Sequence, residues 1–561
     1  MTSYTGITIG PLISTIEASR KTRELWASSY LFSYFIRQLV TAYTEAKDKA
    51  NNPYFTVLSP HLETPHQKIG AGLYPDRIFI KHSTANGAEQ LKITTEKVFK
   101  KLCEDIYSRI QLYKESKSIT KSEVTEYLRS FFLLRSQTLP LPDNSNVIQM
   151  LTPYLDSQEE SPGLPEIEKH RQILGLFLLT ASLKNNKVKS PSFLFMDAFD
   201  VSQNFPSLIQ ISAVDLEAVD KKKFNKIIDQ HFKAVNQGNT KEEHLLFQQL
   251  YQGFQNPDDS SDSQFLHYHR HIAIVHADGD NIGAVLKKIG TTAEGVKDFS
   301  KFLHTFAVAA TKMIHNYGGT PIYIGGDDLF FLAPVARTHE ASNSEGKPLD
   351  ATILHLANSL DQLFQTTYRS FRKNQPLLEN IPVPTLSFGI NIEHTKSPLY
   401  EGIQHSREAM LFRAKNKELN PDKHTIALRL STHSGSTQLL DISLKQKTLV
   451  TTCLNFIEKY RRVEVPFFNT FARKLLFLDP LFAHLIGDQE IDISRFLLEM
   501  TKHQDNESGE EDLSTENLCI AKDLTNLLHL VYATENQVKD PAKLIEFVIR
   551  FVHFLNRKIE L

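Results

Sequence analysis

Residues 271–280 read HIAIVHADGD and residues 323–331 read YIGGDDLFF, and these two stretches decide the fold of the chain. Each is a run of apolar, largely β-branched or aromatic residues, which is typical of a buried strand. Each run also meets acidic residues, namely Asp278 in the first and Asp327 with Asp328 in the second. We therefore expect two strands that carry carboxylates at one end.

The second stretch contains a predicted hairpin turn at Gly325 and Gly326, which stand between apolar strand residues. Paired glycines in this setting indicate a two-residue turn with positive φ, and they also let a phosphate approach the backbone, so both are candidate nucleotide-binding residues. Because successive strand side chains alternate, Asp327 and Asp328 should leave the turn on opposite faces. One of them then faces Asp278, and the sequence leaves open which.

Carboxylates in this arrangement suit the chemistry of a nucleoside triphosphate. The triphosphate brings several negative charges and the attacking hydroxyl has to lose its proton, so two hard cations with oxygen ligands are needed. We expect Asp278, Asp327 and Asp328 to bind two Mg²⁺ or Mn²⁺ ions, with the last two as catalytic residues. Asp280 is a further candidate for nucleotide binding, and the alternative is that it caps a helix that starts near Asn281.

A Gly-Gly-Asp-Asp turn alone is more often an ordinary hairpin, so the prediction depends on what surrounds it. Periodicity predicts alternating helices and strands around the two stretches, at residues 298–315, 351–374, 385–392, 400–417 and 425–430. The order strand, helix, hairpin, helix, strand is that of a split βαβ, ferredoxin-like palm.

These motifs resemble those of a known family, the polymerase-cyclase subunit that is the largest protein of type III CRISPR effector complexes, of the Cmr kind. The resemblance is carried by six segments, at residues 7–11, 18–30, 278–283, 325–328, 387–390 and 414–415. The first two match the opening of that subunit's first palm-like domain, and the others match its catalytic palm.

The resemblance implies an α+β multidomain fold with two ferredoxin-like, nucleotide cyclase-like palm domains, one catalytic and one degenerate, plus helical domains. It implies partners as well: other effector subunits, guide RNA and target RNA, with ATP as substrate for a second messenger. By the same resemblance, Asp278 and the Gly279 carbonyl bind metal together with Asp327 and Asp328. Lys415 matches a lysine that contacts the triphosphate, and the alternative is a solvated lysine.

Two departures from the family pattern sharpen the prediction. The chain starts directly with the palm-like segment and contains no His-Asp dipeptide, so we expect no metal-dependent DNase activity in cis. At residues 74–77 it reads YPDR where the family usually has an asparagine, and Asp76 would repel a second triphosphate but attract a cation. Relatives without the nuclease domain include enzymes that join ATP to S-adenosylmethionine. Asp76 is therefore a candidate S-adenosylmethionine contact, unless it only pairs with Arg77 or caps the turn.

The expected product is thus an adenylated S-adenosylmethionine, with cyclic oligoadenylate made from ATP alone and a catalytically inert scaffold as the alternatives. We expect four domains: a degenerate palm at 1–138, a mainly helical middle domain with flexible linkers at 139–264, the catalytic palm at 265–436 and a helical domain at 437–561. The polar, proline-rich residues 139–165 and the acidic residues 256–264 predict the linkers.

Composition sets further limits. The 561 residues carry a formal net charge of -2, so nothing indicates a stand-alone nucleic-acid binder. The three cysteines, Cys103, Cys453 and Cys519, lie far apart, which predicts neither a disulfide framework nor a cysteine zinc site. Neither a signal peptide nor an uncharged apolar run of membrane-spanning length is present, so we expect no membrane contact and a cytoplasmic protein.

Overall fold

The fold is built on two separate β-sheets with helices packed on them. The computed structural model describes residues 1–112, 118–142, 144–159, 177–178, 192–199, 205–235, 243–255, 264–337, 351–431, 437–461, 463, 468–485, 493–494, 497, 515–533 and 538–559. Within these residues the first sheet has four strands and the second has six. This is the mixed α/β architecture that the sequence predicts.

The first sheet has the ferredoxin-like strand order β2-β3-β1-β4. Its strands are β1 (Thr2–Gly10), β2 (Phe55–Ser59), β3 (Arg77–His82) and β4 (Leu133–Leu141). The helices that accompany it are α1 (Leu12–Glu17), α2 (Thr22–Glu45), α3 (Gly87–Ile110) and α4 (Lys121–Phe131). Helix α2 crosses the core, where Trp26, Phe35 and Leu39 are fully buried.

The predicted linker at 139–165 is wrong in its first part. Strand β4 spans the expected boundary at 138 and pairs with β1 along its whole length, from Thr2 opposite Leu141 to Gly10 opposite Leu133. A further helix, α5 (Val147–Glu159), then packs on β1, because the absent side chain of Gly6 leaves room for Leu151 and Leu155. Prolines suggested a loop here, but β4 is an edge strand, where a missing amide donor is tolerated.

Short helices form the middle of the chain, as predicted. They are α6 (Phe193–Ala198), α7 (Leu208–Ser212), α8 (Asp215–Val219), α9 (Lys221–Val235) and α10 (Glu243–Phe254). Asp215 is fully buried and accepts a 2.7 Å hydrogen bond from the Tyr268 hydroxyl, which ties α8 to the start of the second sheet. The linker expected at 256–264 lies outside the described residues except for its last residue.

The second sheet has the order β10-β9-β8-β5-β7-β6. Its strands are β5 (His271–Asp280), β6 (Thr320–Gly325), β7 (Asp328–Pro334), β8 (Thr385–His394), β9 (Thr425–Ser431) and β10 (Thr437–Ser443). The helices between them are α11 (Ile282–Ile289), α12 (Ala293–Tyr317), α13 (Ile353–Arg372) and α14 (Leu399–Ala409). Strands β8, β5, β7 and β6 form the predicted ferredoxin-like palm, with β5 in its centre.

Strand β10 corrects the expected start of the helical domain at 437. It pairs antiparallel with β9, from Thr437 opposite Ser431 to Ser443 opposite Thr425, so the catalytic sheet extends to residue 443. The helices that follow are α15 (Lys447–Tyr460), α16 (Phe468–Leu485), α17 (Thr515–Ala533) and α18 (Pro541–Asn556). Ile442 on β10 and Phe547 on α18 line one apolar pocket, so these helices cover the outer end of the sheet.

In the part of the chain that the structure describes, we find no helix long and apolar enough to cross a lipid bilayer.

Candidate active site

The carboxylate tip of the palm is the hairpin that joins β6 to β7. Gly325 pairs with Asp328 across the hairpin, so the two central residues of the turn are Gly326 and Asp327 rather than the predicted Gly325 and Gly326. Of the two glycines, Gly326 has the positive φ, at +78°. A positive φ at the first central position is the pattern of a type II′ hairpin.

Strand register decides which tip carboxylate faces Asp278. The last recorded pair of β5 and β7 is Ala277 opposite Leu329. Continued by one residue, this register places Asp328 opposite Asp278, on the same face of the sheet. Asp327 instead packs over Gly279, where an added Cβ atom would lie 2.6 Å from its Oδ2 atom.

Lys415 lies at the centre of these carboxylates. Its ammonium group donates a hydrogen bond to Asp278 Oδ2 and another, 2.8 Å long, to the Gly279 carbonyl oxygen. These are two of the oxygens that the sequence assigns to metal. The side chain of Lys415 is 13% exposed, so the alternative of a solvated lysine is not what the structure shows.

A π-helical turn positions this lysine. Helix α14 continues as a π-helix over Met410–Ala414, and the amide of Lys415 donates to the Met410 carbonyl at 3.0 Å. The turn lies tightly on β8, since a Cβ atom added to Gly389 would come within 2.3 Å of the Met410 nitrogen. Single π-turns inside helices are frequent at functional sites, and this one re-aims the helix end at the carboxylates.

Asp280 is a buried anchor beneath the site. Its Oδ2 atom accepts hydrogen bonds from the Ser387 hydroxyl at 2.7 Å, the Thr385 hydroxyl at 3.2 Å and the His424 amide at 3.1 Å. The N-cap of α11 is Asn281, in a left-handed conformation, so the alternative that Asp280 caps this helix is wrong. Its other oxygen, Oδ1, has no hydrogen-bond partner and lies 3.9 Å from the Lys415 ammonium.

Crowding of like charges shifts the acidities of the tip. Burial, followed by repulsion from Asp278, raises the pKa of Asp327 to about 6. Desolvation, followed by the charges of Asp278 and Asp327, raises the pKa of Asp328 as well, but Asp328 is exposed and solvent screens this shift. Desolvation is the larger cause of both shifts, and Lys415 opposes them.

The donor set fits divalent cations. All of the candidate ligands are hard oxygen atoms, and the unpartnered Oδ1 atom of Asp280 is a further acceptor under the site. Within the described ranges, however, no three His, Cys, Asp or Glu side chains stand close enough together to hold an ion as they are. Lys415 occupies two of these oxygens, Asp278 Oδ2 and the Gly279 carbonyl.

The first palm reaches this tip through the segment before β3. The Ile324 amide donates to the Gly72 carbonyl at 2.8 Å, and Gly72 forms a parallel bridge with Tyr323. The Tyr323 ring lies over Gly325, and Asp76 of the first palm and both tip carboxylates act on its hydroxyl electrostatically. Asp76 and the tip therefore lie close enough to interact electrostatically, and we refer to them as the two walls of the candidate site.

Asp76 is only partly buried. The neighbouring Arg77 guanidinium binds Asp156 at 2.6 Å and Glu159 at 2.9 Å, so it is engaged on α5. Burial raises the pKa of Asp76 to about 6, and Arg77 partly opposes this increase. Its backbone carbonyl accepts from the Ile9 amide at 3.0 Å, which fixes the segment to β1.

Comparison with protein families matches both palms. Residues 271–427 match the second palm domain of Cas10/Cmr2, and residues 4–108 match the N-terminal region of the CRISPR-associated protein Cmr2. The chain is therefore similar to the Cas10/Cmr2 family over residues 4–108 and 271–427. It is related to the large subunits of type III Cmr complexes, and its second palm is a nucleotidyltransferase-like or cyclase-like domain.

Individual relatives of the family agree with this assignment. The chain is similar to the Cmr subunit Cmr2 of Pyrococcus furiosus, with 25% identity over 194 residues, which are 30% of this chain and 19% of that protein. It thus matches about a fifth of that curated relative's length. A chain of the type III-B Cmr-beta complex in the apo state gives a TM-score of 0.52 at 13% identity, covering 95% of this chain and 82% of that one.

The corresponding structure of Cmr-beta bound to cognate target RNA also gives a TM-score of 0.52, at 11% identity, and covers 93% of this chain and 80% of that one. At such identities the likeness concerns the fold alone. It supports the two-palm architecture independently of the sequence motifs.

Sequence reasoning missed three residues of the site. The sequence predicts Tyr323 only as a strand residue, but its ring lies over Gly325 and Asp76 acts on its hydroxyl electrostatically. Ser387 and His424 support Asp280 from β8 and from the loop before β9. Their local sequence pattern does not indicate this role, because each contact joins residues more than 100 positions apart.

Proposed function

We propose that this chain is the nucleotidyltransferase subunit of a type III CRISPR effector complex, which joins the AMP part of ATP to S-adenosylmethionine when target RNA is bound. The observation that carries the proposal is that Asp76, on the first palm, lies near the tip that carries Asp327 and Asp328. The partners in this proposal are the other effector subunits, guide RNA and target RNA. The relatives that support it are Cmr2 of Pyrococcus furiosus and Cmr-beta bound to cognate target RNA.

The two walls suit two different substrates. The tip side, with its crowded carboxylates, suits a triphosphate that arrives with two Mg²⁺ or Mn²⁺ ions. The opposite wall has a carboxylate at Asp76, which would repel a second triphosphate. S-adenosylmethionine carries a sulfonium and an α-ammonium group, and either cation could pair with Asp76 above about pH 6, where that side chain is ionised.

The proposed reaction is an in-line displacement at the α-phosphorus of ATP. A ribose hydroxyl of the acceptor adenosine forms the new P–O bond, its proton is released, and the bond to pyrophosphate breaks. When bound, the two ions would lower the pKa of the attacking hydroxyl and neutralise the leaving pyrophosphate. Asp278, Asp327, Asp328 and the Gly279 carbonyl would hold these ions.

The side chains contribute position and charge. Lys415, released from Asp278, would bind a phosphate oxygen as a point charge. Gly326 has a positive φ, and a Cβ atom there would meet only Leu303 Cδ1, at 3.7 Å, so the turn would let the triphosphate approach closely. Asp280 would orient Lys415 from below. Positioning and electrostatic stabilisation are the main contributions that a protein makes to such a transfer.

The decisive experiment is product analysis with the RNA-activated complex. Labelled ATP is supplied with and without S-adenosylmethionine, and the products are identified by mass spectrometry. We expect a product that contains both AMP and S-adenosylmethionine, formed only when both substrates are present. Formation of cyclic oligoadenylate at the same rate without S-adenosylmethionine would reject the acceptor assignment, and absence of any product from either mixture would support the scaffold alternative.

A further inference from the structure

The outer edge of strand β6 is covered by the first palm. In the described part of the second sheet, β6 is the terminal strand, next to β7, and it leads directly to the Gly326 turn. An edge strand leaves backbone donors and acceptors without a neighbour from its own sheet. Here Gly72 accepts from the Ile324 amide at 2.8 Å, and the Ser29 hydroxyl donates to the Ile322 carbonyl at 2.8 Å.

These contacts are buried and closely fitted. Ser29 is fully buried in the middle of α2. A Cβ atom added to Gly72 would lie 3.1 Å from the Ser29 hydroxyl oxygen and 3.2 Å from the Ser33 Cβ atom, so a side chain at Gly72 would push the segment away from α2. The Ser33 hydroxyl in turn accepts from the Tyr74 amide at 3.0 Å.

The geometry points to Ser29 and Gly72 as positioning residues that hold the carboxylate tip in place and link it to the wall that carries Asp76. Segment 70–76 is bonded to α2 on one side and to β6 on the other, and Asp76 stands at its end. Movement of this segment therefore displaces β6 at its edge.

This inference rests on the proposed function for its second part, the coupling between acceptor and metal. Suppose that S-adenosylmethionine orders segment 70–76 and that this segment orders the tip. Thermodynamic linkage then requires that S-adenosylmethionine increases the affinity for the ions, and that the ions increase the affinity for S-adenosylmethionine by the same factor. The first part, that Ser29 and Gly72 hold the tip in place, concerns the protein without bound metal.

Hydrogen exchange of the full, metal-free chain tests the first part. Ser29→Ala leaves the buried Ile322 carbonyl without its donor, and we expect exchange of the Ile324 amide to accelerate by roughly fivefold or more. Ser28→Ala is the matched control, because Ser28 is equally buried but donates to the Leu25 carbonyl within its own helix. Equal exchange of Ile324 in wild type and Ser29→Ala would overturn the inference.

Mn²⁺ binding tests the coupling. By electron paramagnetic resonance, we expect the wild-type complex with ATP analogue to bind Mn²⁺ more tightly when S-adenosylmethionine is added, and Ser29→Ala to lose most of that gain. Gly72→Ala is a second variant, which crowds segment 70–76 against α2 without touching any carboxylate. If S-adenosylmethionine increases the Mn²⁺ affinity equally in wild type and in both variants, the inference is overturned. If the wild-type complex does not bind Mn²⁺ at all, the proposed function is contradicted, and the hydrogen-exchange result is unaffected.

Discussion

The Lys415 ammonium group lies against the Asp278 carboxylate, one of the proposed metal ligands, and donates to it. In the metal-free protein this lysine balances part of the negative charge of the tip. It has two roles in the proposed cycle: it is a counter-ion before the ions enter and a phosphate ligand afterwards. The same residue therefore opposes metal binding and favours nucleotide binding.

Replacement of Lys415 separates these two effects. We expect Lys415→Gln to bind Mn²⁺ more tightly than wild type when nucleotide is absent, because Asp278 and the Gly279 carbonyl are then free. The KM for ATP should rise and kcat should fall by about tenfold or more, since a charged contact to phosphate is lost. Mn²⁺ titration and steady-state kinetics measure the two effects, and weaker Mn²⁺ binding in the variant would contradict the counter-ion role.

Asp327→Asn should remove activity and stabilise the metal-free chain. The native state keeps the Asp327 proton up to about pH 6, whereas an unfolded chain loses it near its ordinary value of 3.8. The folded state therefore loses stability as the pH rises through this range. Above the range, the ionised Asp327 side chain lowers the free energy of unfolding by roughly 1–2 kcal/mol. Thermal unfolding in EDTA at pH 7.5 should give a higher Tm for the variant, while a lower Tm would contradict the crowding of charges.

A glycine pair gives a matched test of the geometry of the tip. Gly279→Ala would place its Cβ atom 2.6 Å from Asp327 Oδ2, so we expect the carboxylate to move and activity to fall by about a hundredfold, as for other misplaced catalytic groups. Gly283→Ala, four residues away on α11, meets nothing within 4 Å and should retain activity. Helix propensity even favours it by about 0.5–1 kcal/mol. Equal activities of the two variants would remove Asp327 from the mechanism.

The raised pKa of Asp76 predicts that binding of S-adenosylmethionine depends on pH. Because its pKa is raised to about 6, the side chain is largely neutral below that pH and carries its charge above it. We expect the KM for S-adenosylmethionine to fall as the pH increases from 5 to 7.5, while in Asp76→Asn it stays high throughout. The KM for ATP, measured in parallel, controls for titration of the tip. A wild-type profile that Asp76→Asn reproduces would exclude Asp76 as the counter-charge.

Much of the palm could be predicted from local patterns. The apolar run of β5, the hairpin of β6 and β7 and the helices between them each follow from periodicity within about 20 residues. Predictions that depended on proline as a loop signal failed at β4 and α5, since an edge strand and a helix on its surface tolerated those prolines. The boundary at 437 failed because β10 carries only weak alternation and is stabilised by pairing with β9.

Sequence alone thus determined the identities of the tip carboxylates and their place at strand ends, because a strand that runs into acidic residues is a local pattern. Tertiary structure decided what those carboxylates meet. Lys415 comes from 137 positions away in the chain through a π-helical turn, and Ser29 supports Ile322 from 293 positions away. The physical reason is that a side chain's charge balance and hydrogen bonds depend on which distant elements fold against it, and no periodicity within a segment encodes that choice.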